Sequence, residues 1–350
     1  MRNRLVSILI PLPIMLAAGM SLTSCRSKAV VVNEAQLKMF RALPDAIESQ
    51  KNPTTEAKVN LGRMLYYDAR LSKNHDVSCN SCHDLARYGV DGQPVSDGHR
   101  GRLGTRNAPT VYDAAGHFVQ FWDGRAPDVE EQAKGPILNP VEMAMPSDKA
   151  VVAVLKSMPE YCDAFRTAFP ADNDPVTLEN IGRAIGVFER RLMTPSRWDR
   201  FLNGDRSSLS DAEKAGFNKF MDVGCQACHA GTYLGGEAYQ ELGAAKPYPD
   251  TSDPGRQTLT KQASDRMVFK VPSLRNIDKT GPYFHTGRVS PLEEAVKQMA
   301  EYQLGKQLAD GEVASIVAFL KTLTGAIPDE YIKSPKLPKS TANTPKPSDI

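Results

Sequence analysis

Two copies of the pattern Cys-x-x-Cys-His constrain this chain more than any other feature of its sequence. The copies are Cys79-Asn80-Ser81-Cys82-His83 and Cys225-Gln226-Ala227-Cys228-His229. In such a motif both thiols add to the vinyl groups of a haem, and the adjacent histidine ligates the iron. A thioredoxin-like pair or a shared four-cysteine zinc site would leave both histidines unexplained. We therefore expect two covalently bound haems c, with His83 and His229 as the proximal ligands of the irons.

The first 24 residues have the pattern of a secretory signal peptide. Two arginines precede an apolar run from Leu5 to Met20, which is followed by Leu22-Thr23-Ser24-Cys25. This last segment is similar to a bacterial lipobox, in which the cysteine is lipidated and becomes the mature N-terminus. We expect a periplasmic lipoprotein whose acyl chains hold it on a membrane surface. A retained transmembrane helix is the less favoured alternative, because two prolines interrupt the run.

The charge and the remaining cysteine limit the other function classes. The formal net charge is +2, and removal of the signal peptide with its two arginines leaves no net charge. No polycation remains, so we expect no nucleic-acid partner. Six cysteines in an exported chain would ordinarily indicate disulfides. Here only Cys162 lies outside the two motifs and the lipobox, and we expect it to be a buried, inert thiol.

Helical signals dominate the chain between about Glu34 and Gly325. Capping boxes at Ser210-Asp211-Ala212-Glu213 and Ser290-Pro291-Leu292-Glu293 begin two helices. Three apolar stripes have helical spacing: Phe217, Phe220 and Met221; Leu292, Ala295, Val296 and Met299; and Val313, Ile316, Val317 and Leu320, before Gly325 ends the last helix. No segment has a convincing strand pattern. We predict a mostly α fold with long loops, followed by a disordered tail at residues 327–350.

An internal repeat divides this body into two parts. The first copy is Pro109-Thr110-Val111, Trp122-Asp123-Gly124-Arg125 and Glu130-Glu131, and the second is Pro272-Ser273-Leu274, His285-Thr286-Gly287-Arg288 and Glu293-Glu294. The separation from proline to arginine is 16 in both copies, and from arginine to the first glutamate it is 5. One attachment motif precedes each copy. The repeat therefore predicts two haem domains that arose by duplication, at residues 34–195 and 196–326.

The ligand on the far side of each iron decides whether that haem only carries electrons or also binds a substrate. For the second haem the sequence offers His285, Met267 and Met299. For the first haem it offers His75, His99, His117, Met143 and Met145. Residue chemistry alone does not choose among them, and the spacing of Met299 on an apolar helix stripe fits a core residue better than a ligand.

Further motifs occur in one order between about Gly62 and Gly325. They are Gly98-His99, Arg106-Asn107-Ala108-Pro109-Thr110, Gln120-Phe121-Trp122-Asp123-Gly124-Arg125-Ala126, Glu131-Gln132-Ala133-Lys134-Gly135-Pro136, Val141-Glu142-Met143, Gly281-Pro282-Tyr283-Phe284-His285 and Met299. Together with the attachment motifs they resemble the bacterial dihaem cytochrome c peroxidases. The resemblance implies two class I cytochrome c-like domains, hydrogen peroxide as the substrate, a small soluble cytochrome c or cupredoxin as the electron donor, and a homodimer.

The same resemblance implies different roles for the two haems. The N-terminal haem, on His83, would be the low-potential peroxidatic site, and the C-terminal haem, on His229 and Met299, would accept electrons at high potential. His99 corresponds to a distal histidine that occupies the peroxidatic iron in the resting oxidised form and leaves on reduction. Because this histidine is present, we expect a closed resting state.

The resemblance also assigns residues around the haems. Glu142, as the acid/base, and Gln132 correspond to the distal pocket, and Trp122 with Phe121 beside it corresponds to an aromatic bridge between the haems. One calcium ion is implied at Asn107, Thr280 and Pro282, the last two through backbone carbonyls. Without the resemblance, Glu142 would be read as a surface carboxylate and Trp122 as a core residue.

Two other functions remain open at this point. A purely electron-transferring dihaem protein would keep both irons six-coordinate, and Glu142 and Gln132 argue against it. A dihaem enzyme of the MauG type would oxidise residues of a protein substrate, but such enzymes have tyrosine where Met299 stands. His285 aligns with Trp122 in the repeat and is expected between the haems without a catalytic role, whereas His75 and His117 are expected to be surface or structural residues.

Overall fold

Helices with polar N-caps form most of the regular structure in residues 29–347, the part of the chain that this computed structural model describes. The α-helices are α1 (Glu34–Leu37), α2 (Glu56–Tyr67), α3 (Cys79–Cys82), α4 (Val129–Leu138), α5 (Asp148–Lys156), α6 (Pro159–Ala168), α7 (Leu178–Glu189), α8 (Arg197–Leu202), α9 (Asp211–Val223), α10 (Gln257–Thr260), α11 (Leu292–Gln298) and α12 (Asp310–Lys321). Short 3₁₀ turns lie at Ala69–Leu71, Leu85–Arg87, His99–Gly101, Ala114–Gly116, Cys225–Ala227, Ala263–Asp265 and Ile277–Lys279, and a π-helical turn lies at Met299–Gln303.

The predicted capping box of α9 is present. The Ser210 hydroxyl accepts a hydrogen bond from the backbone N–H of Glu213, and the Glu213 carboxylate accepts one from the N–H of Ser210. Two predicted helix ends are shifted. Helix α11 has Pro291 as its N-cap, one residue later than the sequence indicated, and α12 ends at Lys321, before Gly325.

The strand content of the described residues is one small antiparallel sheet. Strand β1 (Tyr239–Glu241) pairs with strand β2 (Val268–Lys270), with Gln240 opposite Phe269. The mostly α prediction is therefore confirmed.

Two separate hydrophobic cores lie on either side of residue 195. The first contains residues between Val59 and Leu192, and the second contains residues between Trp198 and Leu323. Each end of the described chain packs in the core of the other half. Leu37 and Phe40, near the start, pack in the second core, and Ile332, near the end, packs in the first. Residues near the start of the predicted N-terminal domain thus belong structurally with the C-terminal one.

The segment after Ile327 does not form the disordered tail that its composition predicted. The Tyr331 ring stacks on Phe188 with 5.1 Å between ring centroids, and its hydroxyl donates a hydrogen bond to the Phe188 carbonyl. The Tyr67 hydroxyl donates to the carbonyl of Ile332, whose side chain is buried in the first core. The segment is polar on average, but the side chains of Tyr331 and Ile332 attach it to the N-terminal domain. Residues 348–350 lie outside the described part.

Three further predictions concern the ends and the surface of the chain. The signal peptide and Cys25 lie outside the described residues. Between residues 29 and 347 no helix has the length and apolarity needed to cross a membrane. The prediction of a buried Cys162 is wrong: this thiol is partly exposed, because Tyr161 and Phe165 occupy the inward face of α6.

Each attachment motif follows a helix that crosses another helix at a glycine. A Cβ atom on Gly62 of α2 would clash with the carbonyl oxygen of Ala184 in α7, and one on Gly216 of α9 would clash with that of Ser315 in α12. Glycine lets the two backbones meet directly in both places. The same kind of glycine contact thus occurs between helices in both halves of the chain.

We expect Gly62→Ala to lower the free energy of unfolding of the haem protein by about 1–3 kcal/mol, the usual cost of overpacking a tight contact. Chemical denaturation followed by circular dichroism measures it. Gly311→Ala is the matched control, because Gly311 also lies in a helix but has no heavy atom within 4 Å of an added Cβ. Equal stability of the two variants would contradict the importance of this crossing.

Candidate active site

Each Cys-x-x-Cys-His motif folds as a single helical turn. The backbone N–H of His83 donates to the carbonyl of Cys79 at 2.9 Å, and that of His229 donates to Cys225 at 3.0 Å. One turn of this kind brings both thiols and the imidazole to the same wall of a cavity. All four motif cysteines are free thiols in the structure, as covalent attachment of a haem requires.

Both motifs line one continuous cavity of about 1210 Å³ between the two domains. Met299 and His285 also lie on its wall, as do His117 and Met143. The remaining residues considered as far-side ligands do not line the cavity: His75, His99, Met145 and Met267. Of the candidate far-side ligands, those on the cavity wall are therefore His117 and Met143 for the first iron and His285 and Met299 for the second.

The proximal histidines are prepared for iron binding. His229 Nδ1 lies 2.9 Å from the carbonyl oxygen of Leu234, so a proton on Nδ1 leaves Nε2 free to ligate. Burial lowers the pKa of both His83 and His229, which favours the neutral, ligating form. Free thiols, neutral imidazoles and a thioether on the walls of one cavity fit two haems c.

Met299 begins the π-helical turn that follows α11, and its side chain lies on the wall of the same cavity as His229. Turns of this type are frequent at functional sites. Helix spacing alone favoured a core methionine. The tertiary structure instead places Met299 on the cavity wall that also holds the second attachment motif.

Glu142 and Gln132 lie on the cavity wall together with the first attachment motif. The Glu142 carboxylate accepts a hydrogen bond from the Asn139 amide at 2.8 Å. Burial raises the pKa of Glu142, and the nearby Arg125 opposes part of this rise. Gln132 lies on α4, whose N-terminus is capped by the Asp128 carboxylate. The arrangement places a buried carboxyl group and an amide on the wall that also holds the first attachment motif.

A smaller cavity of about 210 Å³ adjoins this pocket, and Glu142 forms part of the wall of both. The Arg125 guanidinium lies 3.4 Å from the centre of the Phe121 ring on their common boundary. The smaller cavity is large enough for a molecule the size of peroxide.

His99 is not on the wall of the haem cavity in this structure, although Gly98 is. Its backbone N–H donates to the carbonyls of Val141 and Glu142, and its ring is buried with no hydrogen-bond partner at Nδ1. The structure therefore brings the backbone of His99 next to the distal pocket without directing its imidazole into it.

Aromatic rings connect the two halves of the cavity. Trp122 Nε1 donates to the Asn107 carbonyl at 2.9 Å, which holds the indole in place. The His285 ring lies edge-on to Trp122 at 6.3 Å and stacks on Phe269 at 4.3 Å. Trp122 of the first repeat and His285 of the second are thus in ring contact on the cavity wall.

Asn107, Thr280 and Pro282 all line the cavity, so the fold brings the three predicted calcium residues to one region. The Asn107 amide nitrogen donates to the carbonyl of Gln93 at 2.9 Å. Within residues 29–347 there is no group of three or more His, Cys, Asp or Glu side chains that could hold a metal ion. A cation here would depend on amide and carbonyl oxygens, which calcium accepts.

Several charged residues of the cavity wall were not predicted from the sequence. Arg106 pairs with both Asp123 and Asp253 and so joins the two domains. Glu189 is buried, and burial raises its pKa to about 8, with Glu130 adding to the rise. Lys270 is also buried. Its only sequence signal is a lysine inside the apolar run Met267–Val271.

Comparison with known proteins agrees with this geometry. Residues 56–207 match the family described as di-haem cytochrome c peroxidase. The chain is 44% identical to cytochrome c551 peroxidase of Pseudomonas aeruginosa, over 92% of this chain and 94% of that protein. It is 47% identical to cytochrome c551 peroxidase of Nitrosomonas europaea, over 84% and 87% of the two chains.

The fold also matches solved structures. The crystal structure of a MauG-like protein associated with microbial copper homeostasis superposes with a TM-score of 0.73 and 29% identity, covering 84% of this chain and 97% of that one. The identity to the two peroxidases is considerably higher. The cavity with its two attachment motifs and the relationship over nearly the whole chain lead to one conclusion: this chain belongs to the di-haem cytochrome c peroxidase family.

Proposed function

We propose that this protein reduces hydrogen peroxide to water at the haem held by His83, with electrons supplied through the haem held by His229 and Met299. The observation that carries the proposal is the asymmetry of the cavity. Glu142 and Gln132 belong to the same half of the chain as the first motif and Met299 to the same half as the second, and all three residues lie on the cavity wall. Met299 at this position also separates the protein from enzymes of the MauG type, and the carboxylate and amide separate it from a pure electron carrier.

The haem irons, when bound, supply the site of peroxide binding and the electrons for its reduction. The chain supplies proton transfer and orientation. Glu142, held by Asn139, accepts a proton from one peroxide oxygen and delivers it to the other, which then leaves as water. The Gln132 amide orients the peroxide by hydrogen bonding. The cavity beside Glu142 provides a route for peroxide to reach the pocket.

Electron transfer between the haems involves the aromatic cluster at the domain interface. Trp122, His285 and Phe269 lie in ring contact on the cavity wall. Rings at this position shorten the individual transfer steps between the two sites. The Asn107 carbonyl keeps the Trp122 ring oriented and so acts as a positioning group.

Stopped-flow mixing of half-reduced protein with hydrogen peroxide tests the proposed reaction. We expect rapid spectral change at the first haem and consumption of one peroxide for every two electrons taken from the protein. Unchanged spectra on mixing with excess peroxide would contradict a peroxidatic role.

His99 would close the first haem site of the oxidised protein as a ligand of its iron, and would be released on reduction of the second haem. Because the imidazole lies off the cavity wall here, closure requires movement of the loop that carries it. We expect only low-spin, six-coordinate signals in electron paramagnetic resonance spectra of the oxidised protein, and a high-spin signal in oxidised His99→Gly. A high-spin, five-coordinate haem already present in the oxidised wild type would contradict this closure.

The remaining parts of the proposal concern the surroundings of the enzyme. One calcium ion binds at Asn107 and the carbonyls of Thr280 and Pro282, which elemental analysis of the purified protein tests. The donor is a small cytochrome c or cupredoxin that docks through a local patch, since the mature chain has no net charge to steer it. Sedimentation tests the homodimer, and mass spectrometry of the N-terminal peptide tests the lipid anchor on Cys25 in the periplasm.

A further inference from the structure

Lys270 is the unpaired cation of the cavity wall. Its side chain lines the cavity and only 6% of the residue is exposed. Three arginines share the wall, and each has an aspartate partner: Arg106 with Asp123, Arg125 with Asp123, and Arg288 with Asp250. Among residues 29–347, no carboxylate lies within 4.0 Å of the Lys270 amine.

The contacts of Lys270 are neutral. Its Nζ lies 3.3 Å from the carbonyl oxygen of Val119 and 3.4 Å from His117 Nδ1. An ammonium group has no lone pair, so His117 Nδ1 accepts this bond and the imidazole proton resides on Nε2. His117 Nε2 is itself buried without a hydrogen-bond partner, and the ring also lines the cavity. The Lys270 ammonium has three N–H groups and two acceptors in contact, so one donor remains for a further acceptor.

A buried cation without a counter-charge is costly, and burial accordingly lowers the pKa of Lys270 to about 8. Each haem of the family carries two propionate groups, which are carboxylates. A charge-assisted hydrogen bond from the lysine to a carboxylate would offset the desolvation of both groups. An anion beside Lys270 would therefore be stabilised, and a haem bound in the cavity can supply one.

Backbone hydrogen bonds around Lys270 indicate which of the two haems lies beside it. Phe118 N–H donates to the carbonyl of Gly236, and Gly236 N–H donates to the carbonyl of Val271, next to Lys270. Gly236 belongs to the loop that follows His229, whose Nδ1 contacts Leu234 of the same loop. Lys270 and His117 thus lie beside the proximal loop of the second haem site and join it to the N-terminal domain.

We propose that Lys270, supported by His117, binds a propionate of the haem attached at Cys225 and Cys228. The inference rests on the two haems of the family and is independent of the proposed donor and of the closure by His99. A fixed positive charge beside a haem disfavours its oxidised form, which carries one more positive charge than the reduced form. Lys270 therefore helps to keep the second haem at high potential.

Redox titration of the purified dihaem protein, with separate optical fits for the two haems, tests the proposal. We expect Lys270→Met to lower the equilibrium constant for reduction of the second haem at least tenfold, which is about 59 mV for a one-electron couple. Lys270→Arg, which keeps the charge, restores most of the potential. Resonance Raman bands of propionate bending shift in Lys270→Met, a change that loss of packing alone would not produce.

Lys58→Met is the matched control, because Lys58 is also buried, at 7% exposed, but does not line the cavity. It should leave both potentials unchanged. Lys270→Gln replaces Lys270→Met if the latter does not accumulate with two haems attached. Unaltered potentials at full haem content, or a shift of the first haem alone, would overturn the assignment, whereas activity of either variant with peroxide bears only on the proposed function.

Discussion

Peroxide turnover is expected to fall by a factor of about 10²–10⁴ when Glu142 is replaced by alanine, the usual contribution of a positioned acid/base group. The carboxylate lies on the wall shared by the haem cavity and the smaller cavity beside it. Its removal leaves the proton of peroxide without a carrier between the two oxygens. Steady-state peroxidase assays at saturating donor measure the loss, and haem content confirms that both haems remain attached.

Two further variants separate chemistry from local structure. Glu142→Gln keeps the size of the side chain and leaves the neighbouring Asn139 in place, but its amide cannot carry a proton. The loss of turnover in Glu142→Gln should therefore approach that in Glu142→Ala. Glu131→Ala is the matched control, because Glu131 lines only the smaller cavity. Activity within twofold of wild type in Glu142→Ala would remove this carboxylate from the mechanism.

The second large effect is expected at Met299. Thioether ligation raises the reduction potential of a haem, so Met299→Ala should lower the potential of the second haem by more than about 59 mV, a tenfold change in its reduction equilibrium. Electron transfer from the donor then becomes unfavourable, and donor-dependent turnover falls with it. Redox titration and stopped-flow reduction by a small cytochrome c measure the two effects.

Met267→Leu serves as the control for Met299, since Met267 is buried in a small cluster with Tyr248 and Phe269 and does not line the cavity. It should leave both haem potentials unaltered. An unchanged optical spectrum and potential in Met299→Ala would show that another residue ligates the second iron. His285 would then be the next ligand to test, because it shares the cavity wall.

Much of the fold follows from local patterns. The Ser210 capping box begins α9 as predicted, because the cap satisfies backbone donors within a few residues of sequence. Predictions failed where the outcome depends on how side chains pack in three dimensions. Residues 327–347 have a polar composition, yet the Tyr331 hydroxyl donates a hydrogen bond to the carbonyl of the buried Phe188. Cys162 is partly exposed because its neighbours on α6 occupy the inward face.

The candidate site, like the fold, could be predicted from the sequence only in part. The attachment residues could be predicted from the sequence because their chemistry requires adjacent positions in the chain. Met299 and Lys270 could not be assigned in that way, since each depends on the groups opposite it in space. A methionine on an apolar stripe has the same spacing whether it faces a core or a cofactor. A lysine in an apolar run has no visible counter-charge in either case.

By itself, the sequence determined that the chain is mostly helical, and it predicted where two haems attach and that two related halves follow one another. These properties are encoded in short-range spacing, which survives without knowledge of the fold. Tertiary structure alone decided that both motifs open into one cavity, that Met299 and not Met267 lines it, and that Lys270 has no carboxylate partner among residues 29–347. The physical reason is that burial and charge pairing depend on side chains more than a hundred residues apart, such as Lys270 and His117.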